Sequence, residues 1–394
     1  MKINYWFTIE PYVYINIVNK QALLYNTLDG KYIKTCNLKI IQILKEILCE
    51  KNCGVVLLPQ HIYDDIEIKT FINELQSKFM GDIIEVSLSE GKPVQILPYL
   101  NYKDLHKNKH QFSSLENLLQ TLCEITIYLD NTVNIKTLIE YLRSFSLNLT
   151  YNIIGDWKDI PHGSLLIDYL GQMSYSNYIQ CSYTHIPLLE SSLKKNFSYQ
   201  VYVSLPVDHS LMNNTCIFLD QQKIPFQYIF QVTSLEDCNE AVTLIEKYDI
   251  DKYQLRPLYT KDNISFLAKN TFLTEEDILS TKISMKDIFR KHIINKDNFG
   301  KLFILSNGDI YANILHKKLG NIKTDSIYQI VKKEIEIGES WLRIRNQKPC
   351  CDCLYQYICP SPSDLDLMIG QLNLCTVNNL SLIHISEPTR HAQI

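Results

Sequence analysis

The spacing of apolar and polar positions changes character twice along this chain. Up to about residue 100, short β-type runs come first. Residues 12–18 are rich in β-branched and aromatic side chains, and Leu28-Asp29-Gly30-Lys31 supplies an Asp-Gly hairpin turn. Apolar residues then recur at helical spacing at Ile40, Ile41, Leu44 and Ile47, behind Asn37 as a cap. Residues 64–80 predict a second helix and 83–88 another strand.

From about residue 112 strands and helices alternate. Strands are predicted at 125–129, 149–154, 165–169, 199–205, 226–232 and 253–258, with helices at 135–145 and 235–248 among them. Such alternation argues for a parallel sheet, open or closed into a partial barrel, and six strands fit a (β/α)6 barrel better than a full eight. A dinucleotide-binding sheet is the competing architecture, but no G-x-G-x-x-G follows any strand and glycines total only 12. From about residue 299 the pattern changes again. Residues 302–311 predict a hairpin turning at Asn307-Gly308, and Asp325 or Ser326 caps a helix expected to reach about Arg345. The expected class is α/β, with regions 1–100, 112–290 and 299–378.

With 394 residues the chain can hold two or three domains. The net charge of -4, with no long run of Lys or Arg, offers no electrostatic case for nucleic acid. No apolar stretch reaches the roughly 18–20 residues that span a bilayer. The first fourteen residues carry Glu10 and lack a small-residue cleavage site, so no signal peptide is expected and the chain reads as cytoplasmic. Residues 380–394 are set aside, because Leu380 to Arg390 resembles the translation of a sequencing adapter. His384 and His391 are therefore not ligand candidates.

Of twelve cysteines, Cys350, Cys351, Cys353, Cys359 and Cys375 crowd into the last stretch. In a reducing compartment that density points to metal rather than disulfides. Cys350-x2-Cys353-x5-Cys359 followed by Cys375 offers four thiolates, because a C-x2-C turn lets two sulfurs converge. Cys350 is preferred to Cys351 because it restores the two-residue gap. Four cysteines suit tetrahedral zinc or a 4Fe–4S cluster alike, and spacing does not separate them.

This segment resembles the SPASM domain, the C-terminal auxiliary-cluster domain of radical-SAM peptide maturases. The family pattern is an early cysteine, then G-x4-C, then C-x2-C-x5-C-x3-C and a last cysteine, divided between two 4Fe–4S clusters. Gly308 to Asn313 matches G-x4-C with Asn313 in place of the cysteine, and Ser363 stands at the x3 position after Cys359. No cysteine between Cys238 and Cys350 serves as the early ligand. The resemblance thus implies that Cys350, Cys353, Cys359 and Cys375 form the ligand set of one cluster, while the other set is lost as a group. A radical-SAM enzyme also carries C-x3-C-x2-C after its first barrel strand. Here the loop is Asp130-Asn131-Thr132-Val133, and Cys49-x3-Cys53 has Val56 at the third position. No SAM-binding cluster is expected.

The combination resembles the pseudo-radical-SAM proteins of the GG-Bacteroidales ribosomal-peptide system, over roughly residues 1–378. The initial hairpin and helix resemble a winged-helix leader-recognition domain. What the family implies is a non-catalytic accessory protein that binds a precursor peptide and a partner radical-SAM maturase, with one C-terminal 4Fe–4S cluster and no membrane or nucleic acid. Two rival expectations are an enzyme with different, non-radical barrel chemistry and a zinc-stabilised interaction module. Asp156-Trp157, Asp168, Asp208-His209 and Arg256 lie near predicted strand ends, where barrel sites are built. With no nucleophile or metal motif beside them, they are expected to be solvated loop residues.

Overall fold

The computed structural model describes residues 3–97 and 118–377, apart from 146, 156, 159, 173–176, 193–195 and 223. The set-aside segment 380–394 and Asp156 lie outside the described residues.

The first region contains β1 (Asn4–Ile9), β2 (Val13–Val18), β3 (Gln21–Asn26), β4 (Tyr32–Thr35), β5 (Val55–Pro59) and β6 (Gly81–Glu85). They form two antiparallel three-stranded sheets, in the orders β5-β1-β6 and β2-β3-β4. The turn into β4 places Gly30 at φ 80°, a conformation that costs glycine nothing. Asn37 caps the helix Leu38–Ile47 by accepting from the backbone N–H groups of Lys39 and Ile40. Its apolar stripe of Ile40, Ile41, Leu44 and Ile47 meets Phe71, Ile72 and Leu75 of the helix Ile66–Ser77 in one core.

Among the described residues the large sheet has nine strands. Six run parallel in chain order: β7 (Glu124–Tyr128), β8 (Thr150–Ile154), β9 (Asn177–Ser182), β10 (Phe197–Ser204), β11 (Phe226–Val232) and β12 (Tyr253–Pro257). Beyond β7 the sheet continues through β13 (Lys301–Ile304), which pairs parallel with β7. β14 (Asp309–Tyr311) and β15 (Gly320–Asn321) then follow as antiparallel strands. The hairpin of the third region therefore shares a sheet with the second. The architecture is mixed α/β around a large, mostly parallel sheet.

Side chains alternate between the two faces of a strand, and here the faces differ in kind. Ile125, Ile127, Tyr151, Ile153, Val201, Val203 and Phe230 pack into the main core with Leu138 and Leu142 of the helix Ile135–Arg143 and with Leu166 and Leu170 of the helix Gly163–Gly171. The opposite face is largely polar.

Two local expectations are corrected. Residues 165–169 are helical, not a strand. The apolar run Leu165-Leu166-Ile167 is too short to reveal its period, and Leu166, Ile167 and Leu170 form a buried helical stripe. The strand in this part of the sheet is β9, whose polar sequence gave no β signal. The helix capped by Ser326 spans Ile327–Ile337 and stops well short of Arg345. Buried Glu334 turns back to accept from the N–H groups of Ser340 (2.9 Å) and Trp341 (2.7 Å), and the chain leaves the helix at Gly338. Among the described residues, no helix is long and apolar enough to cross a membrane.

Candidate functional site

Short turns carry the four cysteines. A single 3-10 turn spans Cys350–Asp352, with the Cys353 N–H donating to the Cys350 carbonyl at 3.0 Å. The next turn closes as the Cys359 N–H donates to the Tyr355 carbonyl at 2.9 Å. Cys375 arrives from the far side, where Leu273 bridges to it and donates to the Leu374 carbonyl at 3.0 Å. The result brings Cys350, Cys353, Cys359 and Cys375 to one small cavity, whose wall includes Arg345, and all four are buried. Cys351 is only half-buried and is not part of that wall. Among the described residues, no group of three or more His, Cys, Asp or Glu closes tightly round a single metal position.

Three of the four sulfurs accept hydrogen bonds: Cys350 from Arg345 Nη1 at 3.7 Å, Cys353 from the Tyr355 N–H at 3.4 Å, and Cys375 from Asn373 Nδ2 at 3.2 Å. Burial pushes the Cys350 thiol up against the opposing pull of the Arg345 guanidinium. The Cys359 thiol is pushed up to about 12 by burial, with Arg345 again opposing and the other three cysteines adding to the rise. Burial works against the Arg345 charge, yet Asp366 and the cysteines outweigh it and hold the guanidinium above its usual value. Four thiols, three of them with N–H donors, beside one fixed cation suit a four-thiolate metal group, which would bind by displacing the thiol protons.

Asn313 and Ser363, the positions where the SPASM resemblance would place cysteines, bond to two neighbouring acids, Asp364 and Asp366. Buried Asn313 donates Nδ2 to Asp364 Oδ1 at 2.6 Å. Ser363 caps the helix Asp364–Ile369 in a reciprocal pair with Asp366. Asn298 also donates to Asp364 (3.3 Å), and Arg343 approaches it at 3.7 Å while donating to the Pro362 and Ser363 carbonyls. Hydrogen bonds knit together a place where the pattern would put thiolates. The loop after β7 is likewise self-contained, with Asp130 accepting from the N–H and hydroxyl of Thr132 at 2.7 and 2.5 Å.

A second cavity, of about 720 Å³, lies over the polar face of the large sheet. Thr126, Asn152, Gln180, Tyr202, Gln231 and Arg256 reach it from six successive strands. Sequence reasoning missed it because each strand contributes only one or two polar residues, at period two, with no compact motif. Arg256 therefore belongs to a cavity wall, and Trp157 in the same wall is buried. Asp208 instead caps the helix His209–Gln222, its Oδ1 accepting from the N–H groups of Ser210 and Leu211. His209 and Asp168 are exposed.

No protein-family model, no curated protein and no solved structure matches the chain.

Proposed function

We propose that this protein is a non-catalytic accessory factor of ribosomal-peptide maturation, a pseudo-radical-SAM protein that binds a precursor peptide and a partner radical-SAM maturase in the cytoplasm. The observation that carries the reading is the contrast between two cysteine positions. Four thiols gather at one buried cavity near the C-terminus, while Asn313 hydrogen-bonds Asp364 and Ser363 caps a helix with Asp366. That contrast is what a SPASM-like domain with one retained cluster calls for. The chain order of β7 to β12 supports reading residues 112–290 as a partial (β/α)6 barrel. The loop after its first strand has no cysteine to hold the iron that would cleave SAM. The winged-helix-like region would capture a leader peptide by strand addition at β4, an outer strand of its sheet.

Cys350, Cys353, Cys359 and Cys375 would hold the group. A 4Fe–4S cluster there supplies a covalent tie between distant chain positions and a one-electron redox centre. Arg345, Tyr355 and Asn373 steady the sulfurs through their N–H donors.

The test is anaerobic purification with iron, sulfide and zinc analysis, followed by incubation with SAM and a strong reductant. About four irons and four sulfides per chain are expected, with no 5′-deoxyadenosine formed and with retention of the partner maturase on the immobilised chain. One zinc without iron would favour the zinc-stabilised interaction module. Peptide turnover without a partner would favour an enzyme of different chemistry, and reductive SAM cleavage by the chain alone would overturn the reading.

A further inference from the structure

The cavity over the sheet has an unbalanced end. Arg256 on β12 reaches across β11 and donates Nη1 to the Tyr202 hydroxyl at 2.5 Å. Its guanidinium carbon lies 5.4 Å from the centre of the Tyr202 ring. Because arginine can only donate, the Tyr202 oxygen is the acceptor, and its own proton passes on to Gln180 Oε1 at 2.8 Å. Two residues along β10 from Tyr202, Ser204 donates to Oε1 of Gln231 on β11 at 3.0 Å. Both glutamines thus use their carbonyl oxygens within the wall and keep their NH2 groups for the cavity. Trp157 adds a buried indole N–H with no acceptor among the described residues.

Charge is equally one-sided. At the other rim Glu124 pairs with Lys301 at 3.8 Å, Asp364 is matched by Asn298, Asn313 and Arg343, and Asp297 is exposed to solvent. Arg256 has no carboxylate as a counterion among the described residues; it is bonded to Tyr202 and stands opposite Gln231 in the β11–β12 register. A planar cation braced from one side, with N–H donors round it and the Gln180, Gln231 and Tyr202 oxygens already accepting, is complementary to a carboxylate. The buried Asn152 Oδ1 further along the wall is left to accept from the rest of the ligand.

The geometry points to a carboxylate-binding site in this cavity, with Arg256 holding the ligand carboxylate and the amide groups of Gln180 and Gln231 donating beside it. Tyr202 is a positioning residue, since it fixes the guanidinium. The ligand is a small carboxylic acid or a glutamate or aspartate side chain of a peptide. The site stands on the cavity alone and does not depend on the accessory-factor reading.

Calorimetric titration of the full chain tests it, with N-acetylglutamate and a glutamate-bearing hexapeptide as probes, each paired with its glutamine counterpart. At least one glutamate probe should bind saturably, and its glutamine counterpart should bind about tenfold or more weakly. Tighter binding of the hexapeptide would assign the site to peptide side chains, and equal or tighter binding of N-acetylglutamate to small acids. Arg256→Gln should abolish the preference at an unchanged melting temperature. Should that variant not fold, Arg256→Lys keeps the charge but loses the fork and should weaken the glutamate probe. Tyr202→Phe should do the same while leaving the charge intact. Absence of saturable binding, equal binding of the glutamine probes, or an Arg256 variant that binds like the parent would each overturn the proposal.

Discussion

Arg345 and Asp366 face each other across 3.8 Å, with side chains only 8% and 3% exposed. Arg345 lines the cysteine cavity, and Asp366 Oδ2 holds the cap of the last described helix by accepting from the Ser363 N–H and hydroxyl, each at 2.6 Å. Removing one partner strands a buried charge. Asp366→Ala should therefore cost about 3–5 kcal/mol, and the double variant Arg345→Met with Asp366→Leu should cost less than that single change. Urea unfolding of the three proteins measures both figures. A loss below about 1 kcal/mol for Asp366→Ala would mean that solvent screens the pair.

The cysteine assignment makes a sharp distinction among neighbours. Cys353→Ser and Cys359→Ser should lose bound metal and expose the region around residues 350–375 to limited proteolysis. Cys351→Ser and the exposed Cys123→Ser should leave metal content unchanged. Metal analysis of the four variants, prepared in parallel, decides the matter. Iron or zinc lost in the Cys351 variant would move the first ligand from Cys350 to its neighbour.

His316 gives the fold an acid-side weakness. Its Nδ1 lies 2.6 Å from the Ser340 hydroxyl, and burial followed by the nearby Arg343 charge holds the imidazole below its usual value. The unfolded chain takes up this proton near pH about 6.5, whereas the folded chain resists it. The stabilising contribution is thus present above that pH and is lost as pH falls through the lowered value. Denaturation midpoints followed from neutral to acid pH should decline, and His316→Gln should flatten that decline. Parallel curves for both proteins would remove His316 as its source.

Gly155 closes the loop after β8 against the loop after β7. Its φ is +119°, and a Cβ there would lie 2.3 Å from the Leu129 carbonyl oxygen. Gly155→Ala should lower stability by about 1–3 kcal/mol or more, since strain and collision act together. Because Gly155 also lines the sheet cavity, thermal melting should be run alongside the glutamate titration.

Much of this arrangement can be read from residue order, but unevenly. Asn37, the Asp29-Gly30 turn and the stripe Ile40, Ile41, Leu44 and Ile47 are local signals, and each predicts the element that forms. The cysteine spacing likewise anticipates a shared cavity, because C-x2-C closes by a turn only a few residues long. The failures have a different physical origin. β9, Asn-Tyr-Ile-Gln-Cys-Ser, is held by backbone pairing to β8 and β10, and of its two fully buried side chains only Ile179 is apolar, the other being Asn177. Nothing local marks it as a strand. The helix end at Ile337 depends on a buried Glu334 turning back on residues beyond it. Arg256 meets Tyr202 only through the order of strands, at a separation of 54 positions along the chain. Long-range partners of this kind leave no period and no motif in the chain.

The hairpin of β2 and β3 does more than open the fold. Tyr14, Leu23 and Tyr25 share a core with Cys353, Tyr355, Ile358 and Cys359, and Asn16 Nδ2 donates to the Leu354 carbonyl at 2.8 Å. The cysteine loop is thus sandwiched, with its cavity side turned one way and its back leaning on β2 and β3. Rigidity gained on either side is inherited by the other, and thermodynamic reciprocity makes the two inseparable. Deleting the leading strands would loosen the thiols from behind, and filling the thiol site would in turn brace the domain where the chain begins.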